Sequence, residues 1–308
     1  MNIHPDFLEY FMRAAADYPP PGSAQLTAVE SRALHQRLAR KIGPVRQMKT
    51  RSFTIPSAWP IPARLYTPDI EGPLPLFLFI HGGGWIGGDL DTHEVLCREI
   101  AHGAKCAVVA VDYRLAPEHK FPAAYDDAVA AAEHCLTHAT ELGADPKRVA
   151  IGGDSAGGNL TASAMVALRD QGKALPVLQV LIYPATDFRM ISPIYQTFNG
   201  PGMGKREVEW CAEQYLNTAS ERLDPRVSPI LSDLRGLPPA FVTTAECDVL
   251  CDDGEAYAVA LSRAGVPVSL RHYRGHPHGF LSLPLEVKPT VAGISDVCAA
   301  LRHAFTPA

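Results

Sequence analysis

The stretch Ile151-Gly152-Gly153-Asp154-Ser155-Ala156-Gly157-Gly158-Asn159 constrains this chain more than any other. An apolar run ending in Val149-Ala150-Ile151 leads into it, and a helix-forming run from Leu160 to Leu168 leads out. The pattern reads as strand, tight turn and helix, with Ser155 at the turn in a G-x-S-x-G motif. A Cβ two residues before or after such a serine would crowd the strand or the helix, and Gly153 and Gly157 remove it. The turn leaves the Ser155 hydroxyl exposed at the end of a strand. Short Gly/Ser strings also occur in ordinary loops, so the motif gains weight only from what accompanies it.

The first companion lies upstream. Leu76-Phe77-Leu78-Phe79-Ile80 has the continuous apolar character of a buried strand, and His81-Gly82-Gly83-Gly84-Trp85 follows it directly. Three successive glycines leave backbone N–H groups free to face an anion, which acyl transfer needs where a carbonyl oxygen becomes an oxyanion. A flexible turn accounts for one glycine, but poorly for three.

Strand-like and helix-like runs alternate from about residue 50 onward. Strands are expected at Leu76–Ile80, Cys106–Val111, Arg148–Ile151, Val177–Tyr183, Ala240–Ala245 and Val266–Tyr273. Helices are expected at Asp91–His102, Pro122–His138, Ala156–Asp170, Asp253–Ala264 and Thr290–Phe305. Such alternation implies an α/β fold with a mostly parallel central sheet flanked by helices. Two regions interrupt it. Residues 1–45 carry helical patterns at Asp6–Ala16 and Thr27–Ala39, divided by Pro19-Pro20-Pro21-Gly22. Residues 188–225 carry Asn199-Gly200-Pro201-Gly202 and a helix expected from Lys205 to Leu216. We read both as segments of a helical cap over a core formed by residues 46–187 and 226–308, since long insertions between strands often cover a site. Met203, Trp210 and Tyr215, with Trp85 beside the glycines, offer apolar surface to a pocket.

The whole-chain properties exclude several classes. With 28 basic and 33 acidic residues among 308, the net charge is −5 without a basic or acidic block, which argues against nucleic acid and anionic membranes as partners. The start, Met1-Asn2-Ile3-His4-Pro5-Asp6, lacks a signal-peptide pattern, and the apolar runs fall short of a membrane span. Seven scattered cysteines, an odd number, suit a reduced, cytoplasmic protein. Cys247 and Cys251 stand at C-x3-C spacing, without the second pair of a zinc site.

A serine nucleophile needs a general base, and the base needs an orienting acid. Asp248 falls just past the strand that ends near Ala245, where the functional loops of open α/β sheets gather. Glu246, Asp252 and Asp253 compete with it. Glu246 belongs to the strand, and the other two suit a helix N-terminus. The loop after the next strand, Arg274-Gly275-His276-Pro277-His278-Gly279-Phe280, offers two histidines for the base. His272, His276 and His278 could alternatively be imagined as a metal cluster, but a base explains this loop without one.

These stretches together resemble the hormone-sensitive-lipase-like carboxylesterases of the α/β-hydrolase superfamily, whose elbow reads G-D-S-A-G. The resemblance rests on His81-Gly82-Gly83-Gly84-Trp85, on Asp112-Tyr113-Arg114-Leu115-Ala116-Pro117-Glu118 with Phe121-Pro122-Ala123-Ala124, and on Gly153–Leu160. Tyr183-Pro184 and His278-Gly279-Phe280 also match. It covers roughly residues 50–305. It implies a serine carboxylesterase for short- to medium-chain esters, with Ser155 as nucleophile, His278 rather than His276 as base and Asp248 as acid. It also implies an oxyanion hole from the N–H groups of Gly83, Gly84 and Ala156, and a chemistry with no cofactor or metal. The implied partner is a small-molecule ester, with no stable membrane association. The chain is expected to be a monomer or a homodimer, the latter through the edge strand near Val266–Tyr273. One departure stands out. The family commonly reads D-P-L-R-D-E-G around the acid, whereas this chain reads Asp248-Val249-Leu250-Cys251-Asp252-Asp253-Gly254. Non-catalytic receptors also occur on this scaffold and typically lack the histidine.

Overall fold

The computed structural model describes residues 2–18, 26–43, 45–198, 200 and 203–306. The turn expected at Pro19–Gly22 lies outside these residues, as does most of the one at Asn199–Gly202. The N-terminal segment forms helices α1 (Pro5–Arg13) and α2 (Ala28–Ala39). Thr27 caps α2 in a reciprocal capping box with Glu30. Next come strands β1 (Lys49–Ile55), β2 (Ile61–Thr67) and β3 (Leu74–Ile80), helix α3 (Glu94–Ala104), β4 (Ala107–Val111), α4 (Ala123–Thr137), β5 (Ala144–Asp154), α5 (Ala156–Asp170) and β6 (Leu178–Ile182). The short α6 (Ile194–Thr197) and α7 (Lys205–Tyr215) occupy the second interruption. The chain closes with β7 (Ala240–Cys247), α8 (Cys251–Arg263), β8 (Val268–Pro277) and α9 (Lys288–Phe305).

The described strands form one eight-stranded sheet in the order β1-β2-β4-β3-β5-β6-β7-β8. β2 runs antiparallel to both β1 and β4, while the remaining neighbours are parallel. Both faces of the parallel strands β3 to β7 are covered, as continuous apolar strands require, whereas the edge strand β8 leaves Ser269–His272 exposed. Leu76, Leu78 and Ile80 of β3 join one cluster with α4, α5 and α8, while Phe77 and Phe79 point to the opposite cluster with α3 and α9. All five side chains are fully buried.

The β1–β2 hairpin was not expected as strands. β1 exposes nearly every residue, so Lys49-Thr50-Arg51-Ser52-Phe53-Thr54-Ile55 contains no apolar run. β8 continues past Tyr273 to Pro277 through a register shift against β7. It forms one edge of the sheet, as the edge-strand reading requires.

Candidate active site

Four parallel strands end at one side of the sheet, and each is followed at once by a sequence-predicted residue. His81 and the glycines follow β3, Ser155 follows β5, Asp248 follows β7 and His278 follows β8. This is the rim where open α/β sheets place their ligands.

Ser155 sits at φ 54° and ψ −116°, a strained conformation for a residue with a side chain. Its N–H donates to the Ile182 carbonyl at 2.8 Å, and its carbonyl accepts from Asn159 N–H at 3.0 Å as α5 begins. A Cβ on Gly157 would be driven into the backbone of Ile80 and His81, and one on Gly153 into Ile80 and Gly157. Strand, turn and helix can approach this closely only with glycine at both places.

The Ser155 hydroxyl lies 2.8 Å from His278 Nε2, and His278 Nδ1 lies 2.7 Å from Asp248 Oδ2. Asp248 is fully buried, and its other oxygen accepts the Leu250 N–H at 2.9 Å. Burial pushes the His278 imidazole toward the neutral form. The charge and hydrogen bond of Asp248 more than offset this, and the pKa rises above the ordinary histidine value.

The competing residues have other partners. His276 packs between Phe7 and Phe280, with ring centroids at 4.9 and 4.8 Å, and its Nδ1 faces the Arg274 carbonyl. Burial lowers its pKa. Glu246 accepts the Gly275 N–H at 2.7 Å and so holds the histidine loop. Buried Asp253 accepts from the Tyr195 hydroxyl at 2.9 Å. Asp252 lies in the first turn of α8, as its sequence position implied. The imagined cluster of His272, His276 and His278 is not assembled, because the three rings have separate surroundings.

The glycine turn borders the serine. Gly83 and Gly84 adopt φ 118° and 64°, conformations that glycine enters without steric cost. Among the described residues, no acceptor takes the N–H of Gly83, Gly84 or Ala156, the last being the first residue of α5. Asp154 fixes the turn by accepting the Gly82 N–H at 2.7 Å, and His93 Nε2 lies 3.5 Å from the same carboxylate. Burial would raise the Asp154 pKa, but His93 and the Gly82 N–H lower it overall. The fully enclosed His81 ring stacks between His93 and Tyr113, and burial, then His93, depress its pKa to about 4. His93 carries no motif and was missed; its role follows only from the fold.

The four pocket candidates divide. Trp85 stacks on Tyr215 with centroids 4.9 Å apart and planes at 10°, and Phe188 closes the cluster at 5.0 Å. Tyr215 is wholly buried and Trp85 nearly so. Both are therefore packed in a core cluster and offer little exposed apolar surface. Met203 and Trp210 stay half-buried.

The interrupting segments touch the loops of the site. His4 N–H donates to the Gly275 carbonyl at 2.8 Å, and Phe7 of α1 packs on His276. Arg32 of α2 donates to the carbonyls of Ile86 and Ala116 and pairs with Glu118. Cys211 of α7 stands where a Cβ on Gly84 would point.

Residues 77–282 match a family model described by the alpha/beta hydrolase fold. The chain belongs to this family, in the hormone-sensitive-lipase-like group of carboxylesterases, and is a hydrolase. It is 46% identical over 269 residues to the carboxylic ester hydrolase LipN of Mycobacterium tuberculosis, covering 84% of this chain and 72% of that one. It is 35% identical to the ethyl acetate hydrolase of Pseudomonas putida, over 98% of this chain and 99% of that one. Among solved structures, a hyperthermophilic esterase from the archaeon Pyrobaculum calidifontis superposes with a TM-score of 0.90 at 35% identity, covering 98% of this chain and 99% of that one. Among the described residues, no helix is long and apolar enough to cross a membrane.

Proposed function

We propose that this chain hydrolyses short- to medium-chain carboxylic esters by way of an acyl-enzyme on Ser155. The observation that carries the reading is the unbroken hydrogen-bonded line from Ser155 through His278 to buried Asp248, with backbone N–H groups at its Ser155 end that have no acceptor among the described residues. Ser155 Oγ attacks the ester carbonyl as His278 Nε2 takes its proton. Asp248 holds the Nδ1–H tautomer and stabilises the imidazolium. Negative charge on the carbonyl oxygen is received by the N–H groups of Gly83, Gly84 and Ala156, each donor worth about 3 kcal/mol in the transition state. The N-terminus of α5 adds a favourable potential there. The imidazolium then protonates the leaving alcohol, and water enters by the same relay to free the acid.

The segments 1–45 and 188–225 act as the cap that sizes the pocket, with Met203 and Trp210 as its half-buried lining. Names of relatives such as ethyl acetate hydrolase support small acyl groups. A nitrophenyl ester series of increasing acyl length, run on wild type and on Ser155→Ala, tests the reading. Turnover that peaks at short or medium acyl groups and vanishes in the variant supports it. No turnover at any length by the folded wild type, or a peak at long chains, opposes it.

A further inference from the structure

Outside the hydrolytic centre, one group of chemically matched side chains has no role in the reaction. Cys251 and Glu255 stand one helical turn apart at the start of α8 and so share a face. That face meets His272, which lies on edge strand β8 opposite Thr244 of β7. Cys251 Sγ is 3.8 Å from Glu255 Oε1 and 3.9 Å from His272 Nδ1, and Glu255 Oε1 is 3.0 Å from His272 Nδ1. The three ligand atoms all fall within 4.8 Å of one another.

We propose that Cys251, Glu255 and His272 form a site for a divalent ion of the zinc class, bracing the start of α8 against β8. Tetrahedral zinc at ordinary Zn–S, Zn–N and Zn–O lengths sets its ligand atoms about 3.3–3.7 Å apart. The two sulfur separations lie just above this range, and the 3.0 Å Glu255–His272 contact would open by a few tenths of an ångström to admit the ion. One thiolate, one imidazole and one carboxylate make a borderline donor set that favours zinc over magnesium or calcium. Water completes the fourth position. The sulfur is buried, whereas the side chains of Glu255 and His272 are 43% and 36% exposed, which gives an ion a path from solvent. The site also sits directly below the acid loop, because Cys251 N–H donates to the Asp248 carbonyl at 3.1 Å. The arrangement arises where the chain departs from the family's D-P-L-R-D-E-G pattern, with Cys251 standing at its arginine position.

The test is a titration of the metal-free, full-length protein with zinc, followed by calorimetry and by melting temperature. Cobalt serves as a spectroscopic substitute. The expected result is one saturable equivalent, a rise in melting temperature and a thiolate-to-cobalt charge-transfer band. Cys251→Ser should abolish the band, and His272→Gln should weaken zinc binding by about tenfold or more. His272→Gln changes an exposed position on an edge strand, so it remains informative if the cysteine variant does not fold. Ester turnover by the metal-free His272→Gln protein should stay within about twofold of wild type, because the change touches no group of the Ser155 line. Absence of saturable binding to wild type, or wild-type affinity in the folded variants, overturns the proposal.

Discussion

The rim of the sheet and the covering segments are built to different tolerances. On the rim, Ser155, Asp248 and His278 each follow a parallel strand immediately. β5 and β7 are buried where they lead into Ser155 and Asp248, and the edge strand β8, exposed over Ser269–His272, becomes buried at Gly275–Pro277 just before His278. In the proposed cover the contrast is sharpest at α2, which contains no buried residue and is tied down by polar contacts, Arg32 to Glu118 and to two carbonyls and Gln36 to Asp89, whereas α1 and α7 bury Phe7, Tyr10, Val208, Ala212 and Tyr215. In the proposed mechanism, proton transfer across the 2.8 Å Ser155–His278 contact, with the imidazole oriented by the 2.7 Å contact to Asp248, needs rigid supports. Fitting one acyl group or another does not, and exposed ion pairs worth about 0–1 kcal/mol each can be exchanged cheaply. On this account chemistry belongs to the rim and selectivity to the cover.

The largest expected break is at the nucleophile. Ser155→Ala should lower kcat by about 10⁴-fold or more while leaving the melting temperature nearly unchanged. Asp248→Asn should preserve the fold and lower kcat by about 10³–10⁴-fold, because the imidazole loses its tautomer and its countercharge. Circular dichroism beside the rate measurement separates either loss from unfolding. Next in size is the glycine turn. Gly84→Ala introduces a Cβ at φ 64° and aims it at Cys211, and kcat should fall by about 10²–10³-fold as the donors leave register. Near-normal turnover in a folded Gly84→Ala protein would remove that N–H from the mechanism.

The pH profile sharpens the same contrast. As the proposed base His278 would act only when neutral, and Asp248 raises its pKa, so kcat/KM should fall tenfold per pH unit below a midpoint above about 6.5. A rate flat to pH 4 contradicts this. His81 behaves oppositely. Its folded pKa of about 4 is below its unfolded value, so the unfolded chain binds the extra proton first. Its contribution to stability is complete above pH 6.5 and drains away toward pH 4, to be read as a falling melting temperature. The smallest effect belongs to the cover. Arg32→Ala should shift the preferred acyl length and change acetate-ester kcat by no more than about threefold. A large loss of kcat without a change in preference would place α2 in the chemistry instead.

The same division governs what the sequence revealed. Leu76–Ile80 and the Ile151–Asn159 stretch were legible because burial on both faces demands unbroken apolar runs, and a strained turn demands glycine. Ala156–Asp170 was read with the bounds that α5 has. The β1–β2 hairpin escaped because an exposed edge strand has no such demand on its residues. Asp248 could be favoured over Glu246, Asp252 and Asp253 from position alone, but the histidines could not be separated without the family resemblance. Spacing does not disclose that Phe7, some 270 residues away, holds His276. His93 and the burial of Tyr215 were hidden for the same reason, since both depend on contacts between distant segments.

The central claim is that Ser155 forms the covalent intermediate, and labelling with a serine-reactive phosphonate tests it most directly. The account predicts stoichiometric labelling, loss of ester turnover in proportion, and a single adduct mapped by peptide mass spectrometry to Ser155. Labelling that persists in Ser155→Ala at another residue, or full turnover in protein labelled at Ser155, would contradict it.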